Sequence, residues 1–208
     1  MESNQLSNDV ILRFLRLAYF GNIDAPYNAA GDRAYRDFCR TVDFPKTEQK
    51  LTRQEQIQRY IERQNVKGKI YNWLQDELLE LNCKNSKEFD SWHCRTCKKI
   101  IEDFSKEAKL HYGQAQKWLN MTLKYLLVLG RPEANRQIAF LHVPIDNIVI
   151  QTASEHVKPC RKPWSQWNEN DYKDYQERLK SYIGQIDMNM PPIIWEFRNW
   201  IPTDMFNN

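Results

Sequence analysis

The chain is predicted to be all-α, a multi-helix orthogonal bundle with room for two helical subdomains and a cleft between them. Three observations predict this. Apolar residues recur at three- and four-residue intervals in one segment after another, the period of a helix face. Only six glycines occur in 208 residues, and β-branched runs are scarce, which disfavours sandwiches and barrels. The hydrophobic share of 41%, with seven Trp and ten Tyr, is enough to bury a core and argues against disorder.

The elements follow in order. Segment 8–20 reads as an amphipathic helix capped by Asn8 or Asp9, with Val10, Ile11, Phe14, Leu15, Leu17 and Ala18 as its apolar stripe. A short helix near 32–42 carries Ala34, Tyr35, Phe38 and Cys39. Thr52 and Glu55 have the spacing of a capping box and open a charged helix to about Gln64; a separate helix follows over Val66–Leu81. Ser86 starts a longer helix striped by Phe89, Trp92, Cys97, Ile100, Ile101 and Phe104. Gln114–Leu129 is apolar on most faces, which marks a central helix, and Gly130 with Pro132 ends it. A polar loop spans 131–137, and a helix begins at Asp146. Residues 157–170 read as loop, 171–184 as a polar helix, and the Pro191-Pro192 pair leads a last helix. No internal repeat or long linker divides the chain, so 1–208 is read as a single helical domain.

Composition excludes several classes. A net charge of +3 permits a polyanionic partner without demanding one. No apolar run approaches the ~20 residues that span a bilayer, so no membrane association is expected. The start, MESNQLSND, lacks the basic and apolar stretches of a secretion signal, and five irregularly spaced cysteines suit a reducing, cytoplasmic setting. There is no GxxxxGK[ST], GxGxxG, GxSxG or HExxH, which removes the usual nucleotide cradles and two hydrolytic motifs. Cys83, His93, Cys94 and Cys97 include one Cys-x-x-Cys, but no second pair completes a zinc site, and Cys97 falls on a core stripe. No metal and no cofactor are expected.

The stretch from Tyr112 to Ile150 carries the chemistry. His111-Tyr112-Gly113 is a turn entering an apolar helix, and Lys117 is expected in its first turn. Burial and the positive helix end both favour a neutral amine there, as a Schiff-base nucleophile requires. Then Val143-Pro144-Ile145-Asp146 places an aspartate at a helix start, where an N-cap carboxylate stays ionised.

A turn with Gly and a following Lys on an apolar helix, then Val-Pro-x-Asp opening the next, resembles the helix-hairpin-helix DNA glycosylase superfamily. The 29-residue separation of Lys117 and Asp146 is nearest its archaeal 8-oxoguanine DNA glycosylase group. Met190-Pro191-Pro192-Ile193-Ile194-Trp195 is similar to that group's C-terminal helix. The resemblance covers mainly 110–150 and 190–200, with 87–130 as the hairpin and 144–151 as the helix start. It implies a monomeric base-excision enzyme with AP-lyase activity acting on duplex DNA with a flipped base. Lys117 would attack C1′, and Asp146 would stabilise the sugar cation. Gln114 or Gln116 would read the base edge beside Trp118, Trp195 or Trp200. Tyr112, Gly113 and Ala115 would hold a phosphate through their backbone amides. One departure is evident: the hairpin turn of that superfamily has two glycines, and here only Gly113 is present.

Each residue also has a plainer role. Trp73, Trp92 and Trp118 fit core stripes. Trp164 and Trp167, near Lys158, Arg161 and Lys162, suit an aromatic–basic surface for nucleic acid or for protein. The competing reading is a non-catalytic helical module that binds nucleic acid or protein, for example in a phage or bacterial conflict system.

Overall fold

The computed structural model describes residues 6–45 and 51–201. Among the described residues there are nine α-helices and no strand, so the all-α class holds. No helix of these residues is long and apolar enough to cross a membrane.

Helix α5 (Tyr112–Val128) is the axis, with every residue from Tyr112 to Leu126 buried. Four helices wrap it: α2 (Pro26–Phe38), α4 (Ser86–Asp103), α6 (Pro132–Arg136) and α8 (Glu169–Ile186). A 3-10 turn at Trp164–Gln166 closes over its first turn. Trp118 lies at the centre. Its ring meets Phe38, Tyr35, Phe104 and Tyr71 at centroid distances of 5.2, 5.4, 5.4 and 6.1 Å, and its Nε1–H donates to the Gly31 carbonyl. Gly31 is required there, because a Cβ would stand 2.3 Å from the Tyr71 ring of α3 (Arg53–Glu80). Such aromatic packing contributes beyond area burial, and truncating a buried Trp costs about 3–5 kcal/mol.

Helix α5 ends as its glycine dictates. Gly130 takes φ +75, donates to Leu127 O, and lets Arg131 N–H reach Leu126 O, the paired bonds of a Schellman cap. Asn85 caps α4, the Thr52–Glu55 capping box opens α3, and a second box at Asn168–Asp171 opens α8.

Several sequence expectations are corrected: Ser7, not Asn8 or Asp9, caps the first helix, and the helix expected near 32–42 is α2, Pro26–Phe38, followed by a 3-10 turn at Cys39–Thr41. The apolar stripe of α1 (Asn8–Phe20) is not core: Val10, Ile11, Phe14 and Leu15 are exposed. Apolar residues surround that helix on most faces, and its last turn makes the contact, through Tyr19 and Phe20 against Tyr125. The two helices expected over 52–64 and 66–81 are one, α3, because neither Asn65 nor Gly68 removes a backbone bond as proline would. The 131–137 loop contains helix α6, started by Pro132 at a position where the missing N–H costs nothing. Its Glu133 is buried and accepts from Tyr27 Oη at 2.7 Å and Arg131 Nη2 at 2.8 Å.

The last two helices frame the site. Helix α7 (Asn147–Thr152) is short, and α9 (Pro192–Asn199) lies against α7 and α8.

Candidate active site

Lys117 lies in the second turn of α5, only 3% exposed. Its Nζ donates to Asp146 Oδ2 at 2.7 Å and approaches Pro144 O at 3.5 Å. Asp146 is the N-cap of α7, so its other oxygen is engaged too: Oδ1 accepts the Val149 N–H at 2.9 Å. Trp200, just past the end of α9, directs its Nε1–H at Oδ2 from 3.4 Å. Burial alone raises the Asp146 carboxyl, but the charge and hydrogen bond of Lys117, with the Val149 and Trp200 donors, outweigh it and hold the pKa below the usual range.

A second ion pair lies two turns further along α5. Lys124 Nζ meets Glu196 Oε1 at 2.6 Å, and both residues are buried. The Phe197 and Trp200 rings stand 4.9 and 5.4 Å from that ammonium. Burial raises the Glu196 carboxyl despite Lys124, and its Oε2 has no hydrogen-bond partner. Sequence reasoning missed this pair; the signal was the seven-residue spacing of Lys117 and Lys124, which places both on one helix face.

Lys117 and Asp146 open onto a cleft of about 540 Å³. Arg33, Asp37, Arg40, Trp164, Ser165 and Trp200 also line it. Inside it, Tyr125 Oη donates to Asp37 Oδ2 at 2.6 Å and lies 3.1 Å from Tyr19 Oη. The expected lysine and aspartate are therefore brought together, in contact and facing a cleft, with Trp200 beside them.

Most of the other expected site residues serve the scaffold. Gln114 is a cap group: its Oε1 accepts His111 N–H, and its Nε2 donates to Thr41 O at 2.6 Å. Gln116 is a clamp, donating to Gly113 O and Ile145 O and accepting from Asn120 Nδ2 and, at 3.4 Å, from Ile145 N–H. It ties the Asp146 turn to α5 and has no valence left for a base edge. Trp118 and Trp195 are core residues, 1% and 3% exposed.

The anticipated phosphate nest is closed. Gly113 N–H donates to Trp167 O at 3.0 Å, and Ala115 N–H to His111 O. Tyr112 is buried against Tyr172. Gly113 is needed for packing, since a Cβ there would lie 1.9 Å from the Trp164 carbonyl oxygen. Trp164 and Trp167 are accordingly buried parts of this closure rather than an exposed aromatic surface.

Polar side chains on an adjoining face of α5 form a buried network. His142 Nε2–H donates to Asp90 Oδ1 at 2.6 Å, and its Nδ1 accepts from Tyr172 Oη at 2.8 Å. Tyr172 accepts from Asn120 Nδ2, whose Oδ1 accepts from His93 Nε2–H at 2.8 Å. Asn120 Nδ2 can only donate, which leaves the Tyr172 O–H for His142 Nδ1 and puts that ring's proton on Nε2, toward Asp90; Lys180 Nζ, 3.3 Å from Nε2, donates to Asp90. Burial drives the His142 pKa down to about 4 and that of His93 well below its usual value, so both rings are neutral at pH 7. The network ends on Gln116 and so braces the Asp146 turn. The cysteines do not assemble a metal site: Cys94 Sγ donates to Glu169, Cys97 is buried beside His93, and no metal-competent group of three appears among the described residues.

Comparisons of the chain with family models, with curated proteins and with solved structures find no match.

Proposed function

We propose that the protein is a DNA base-excision glycosylase with AP-lyase activity, with Lys117 as nucleophile and Asp146 as its electrostatic partner. The observation that carries this is the 2.7 Å contact between the two at the wall of an open cleft. A buried ion pair is a poor device for stability, because desolvation offsets most of its attraction. Apposed charges of this kind in a cleft are a mark of chemistry. The resemblance in 110–150 supplies the reaction class.

In this mechanism the target nucleotide leaves the stack and enters the cleft. The amine of Lys117 attacks C1′, and the glycosidic C1′–N bond breaks with its electron pair going to the base. Before that attack the Lys117 ammonium gives a proton to Asp146, which frees the lysine lone pair, and Asp146 passes the proton to the departing base. The Asp146 carboxylate then faces the cationic sugar. Transfer of a second proton from the lysine nitrogen to the ring oxygen, with cleavage of the C1′–O bond, opens the sugar to a protonated imine, whose positive charge permits β-elimination.

The test is borohydride trapping on oligonucleotides containing 8-oxoguanine, uracil or an abasic site. The expected result is a covalent adduct with at least one of them. Lys117→Arg, which keeps a cation beside Asp146 but has no nucleophilic amine, abolishes it. No adduct with the native chain, or one that survives Lys117→Arg, removes the proposal.

A second reading, a binding module without catalysis, is favoured by one observation. The backbone amides expected to grip a phosphate at 112–115 are covered by residues 164–167. Duplex binding without any trapped adduct is its signature.

A further inference from the structure

With the amides at 112–115 closed, a nucleic-acid backbone needs another seat. Helix α2 and the 3-10 turn after it (Cys39–Thr41) carry Arg33, Arg36 and Arg40. The spacing i, i+3, i+7 stacks them on one face. Arg33 and Arg40 line the cleft together with Lys117 and Asp146, and Arg36 lines an adjoining groove that shares Tyr19 and Arg33 with it.

Of the acids on the same helix, Asp32 is neutralised from α3, whereas Asp37 is balanced by Arg33 itself. Asp37 accepts from Tyr125 and lies 3.9 Å from Arg33, and Asp32 pairs with Lys67 at 2.7 Å and accepts from Tyr71. Arg36 and Arg40 are exposed and have no ion pair among the described residues. Arg33 is held over the Tyr19 ring at 4.2 Å with its Nε buried and unbonded. Pro163, Trp164 and Ser165 also line the cleft, and the exposed Lys158, Arg161 and Lys162 precede them in the chain, Lys162 being paired with Asp171. Arg33 and Arg40 thus add basic charge beside the paired Lys117 and Asp146, on a chain whose overall charge is only +3.

We infer that the phosphodiester backbone of a DNA strand lies along Arg33, Arg36 and Arg40, in place of a hairpin phosphate nest. Only the identity of the occupant as DNA rests on the glycosylase reading; the position of the seat comes from the charge layout. Guanidinium groups suit it, because their fork matches two phosphate oxygens and they remain charged at any working pH.

The experiment is a fluorescence-anisotropy titration of the full chain on an undamaged duplex, repeated over a series of KCl concentrations. Each phosphate contact contributes about 0.9 to the slope of log affinity against log salt. Arg36→Gln/Arg40→Gln is expected to lower that slope by about 2 and to weaken binding at least about tenfold at 0.1 M salt. Lys87→Gln/Arg95→Gln removes the same charge from a different groove and is expected to bind like the native chain. A native slope in the Arg36/Arg40 variant, an equal loss in the control, or no duplex binding by the native chain overturns the inference. Binding that follows this pattern without borohydride trapping leaves the seat standing and removes the glycosylase reading. Trapping that persists with arginine variants binding like native does the reverse.

Discussion

The carbonyl oxygen of Trp164 lies 1.9 Å from the point that a Cβ on Gly113 would occupy, and the Gly113 N–H is bound to Trp167 O. The first turn of the lysine helix is thus seated against the 164–167 backbone, and that backbone is also a wall of the cleft. Backbone cannot swing aside as a flexible side chain can. Gly113→Ala is therefore expected to destabilise the fold by about 3 kcal/mol, at the upper end for overpacking, measured by urea unfolding. A stability within about 0.5 kcal/mol of native, the range of an inert substitution, would show that the seat yields.

Removing one member of the Lys117–Asp146 pair leaves the other charge buried. Lys117→Met and Asp146→Asn are each expected to cost about 3 kcal/mol, and the double variant less than the sum of the two. Asparagine caps helices as well as aspartate, so Asp146→Asn isolates the ion pair from the cap on α7. Additive losses in the double-variant cycle would mean that the two side chains do not act as a pair.

Lys124→Met is expected to be more damaging at pH 8 than at pH 5. It strips the buried Glu196 of its counter-charge, and burial already raises that carboxyl. The sign follows: an acid with a raised folded pKa destabilises the fold when ionised, and protonation relieves this as pH falls. Unfolding free energies of native and variant at both pH values measure it, and a deficit that does not shrink on acidification counts against the burial argument.

The native fold is expected to lose stability on acidification from neutral pH. His142 is buried against Asp90, Lys180, His93 and Tyr172, and its pKa falls from the ordinary 6.5 to about 4. The unfolded chain binds that proton first, so stability drops as pH falls from about 6.5 to about 4, by roughly 3 kcal/mol from this residue. His93, also depressed by burial, acts in the same direction. Asp90, lowered to about 2 with desolvation opposed by His142 and Lys180, adds a second loss below its ordinary 3.8. Urea midpoints across this range test it; a flat profile between pH 7 and pH 5 would contradict the neutral, buried assignment.

Much of the fold was legible in the sequence because its signals are local. The Thr52–Glu55 box, the Gly130 stop and the Asp146 cap each act over a few residues through backbone bonds, and each forms where its spacing indicates. The long apolar run after Gln114 marked the central helix for a similar reason: only a fully surrounded helix tolerates it. Where two outcomes share one local pattern, reading failed. Apolar spacing in 8–20 makes a helix whether or not anything covers it, and Gly68 weakens a helix without ending it.

The sequence by itself determined the helical class, the central helix, the capped aspartate and the candidate pair of Lys117 with Asp146. Tertiary structure alone decided that the two side chains meet at 2.7 Å, that Gln116 clamps rather than reads, and that the amides around Gly113 are sealed. It also decided that Lys124 finds Glu196, 72 residues away. The reason is physical. Helix formation and capping depend on neighbours three or four residues apart, whereas contact, burial and ionisation depend on what the packed chain brings to the same few ångströms.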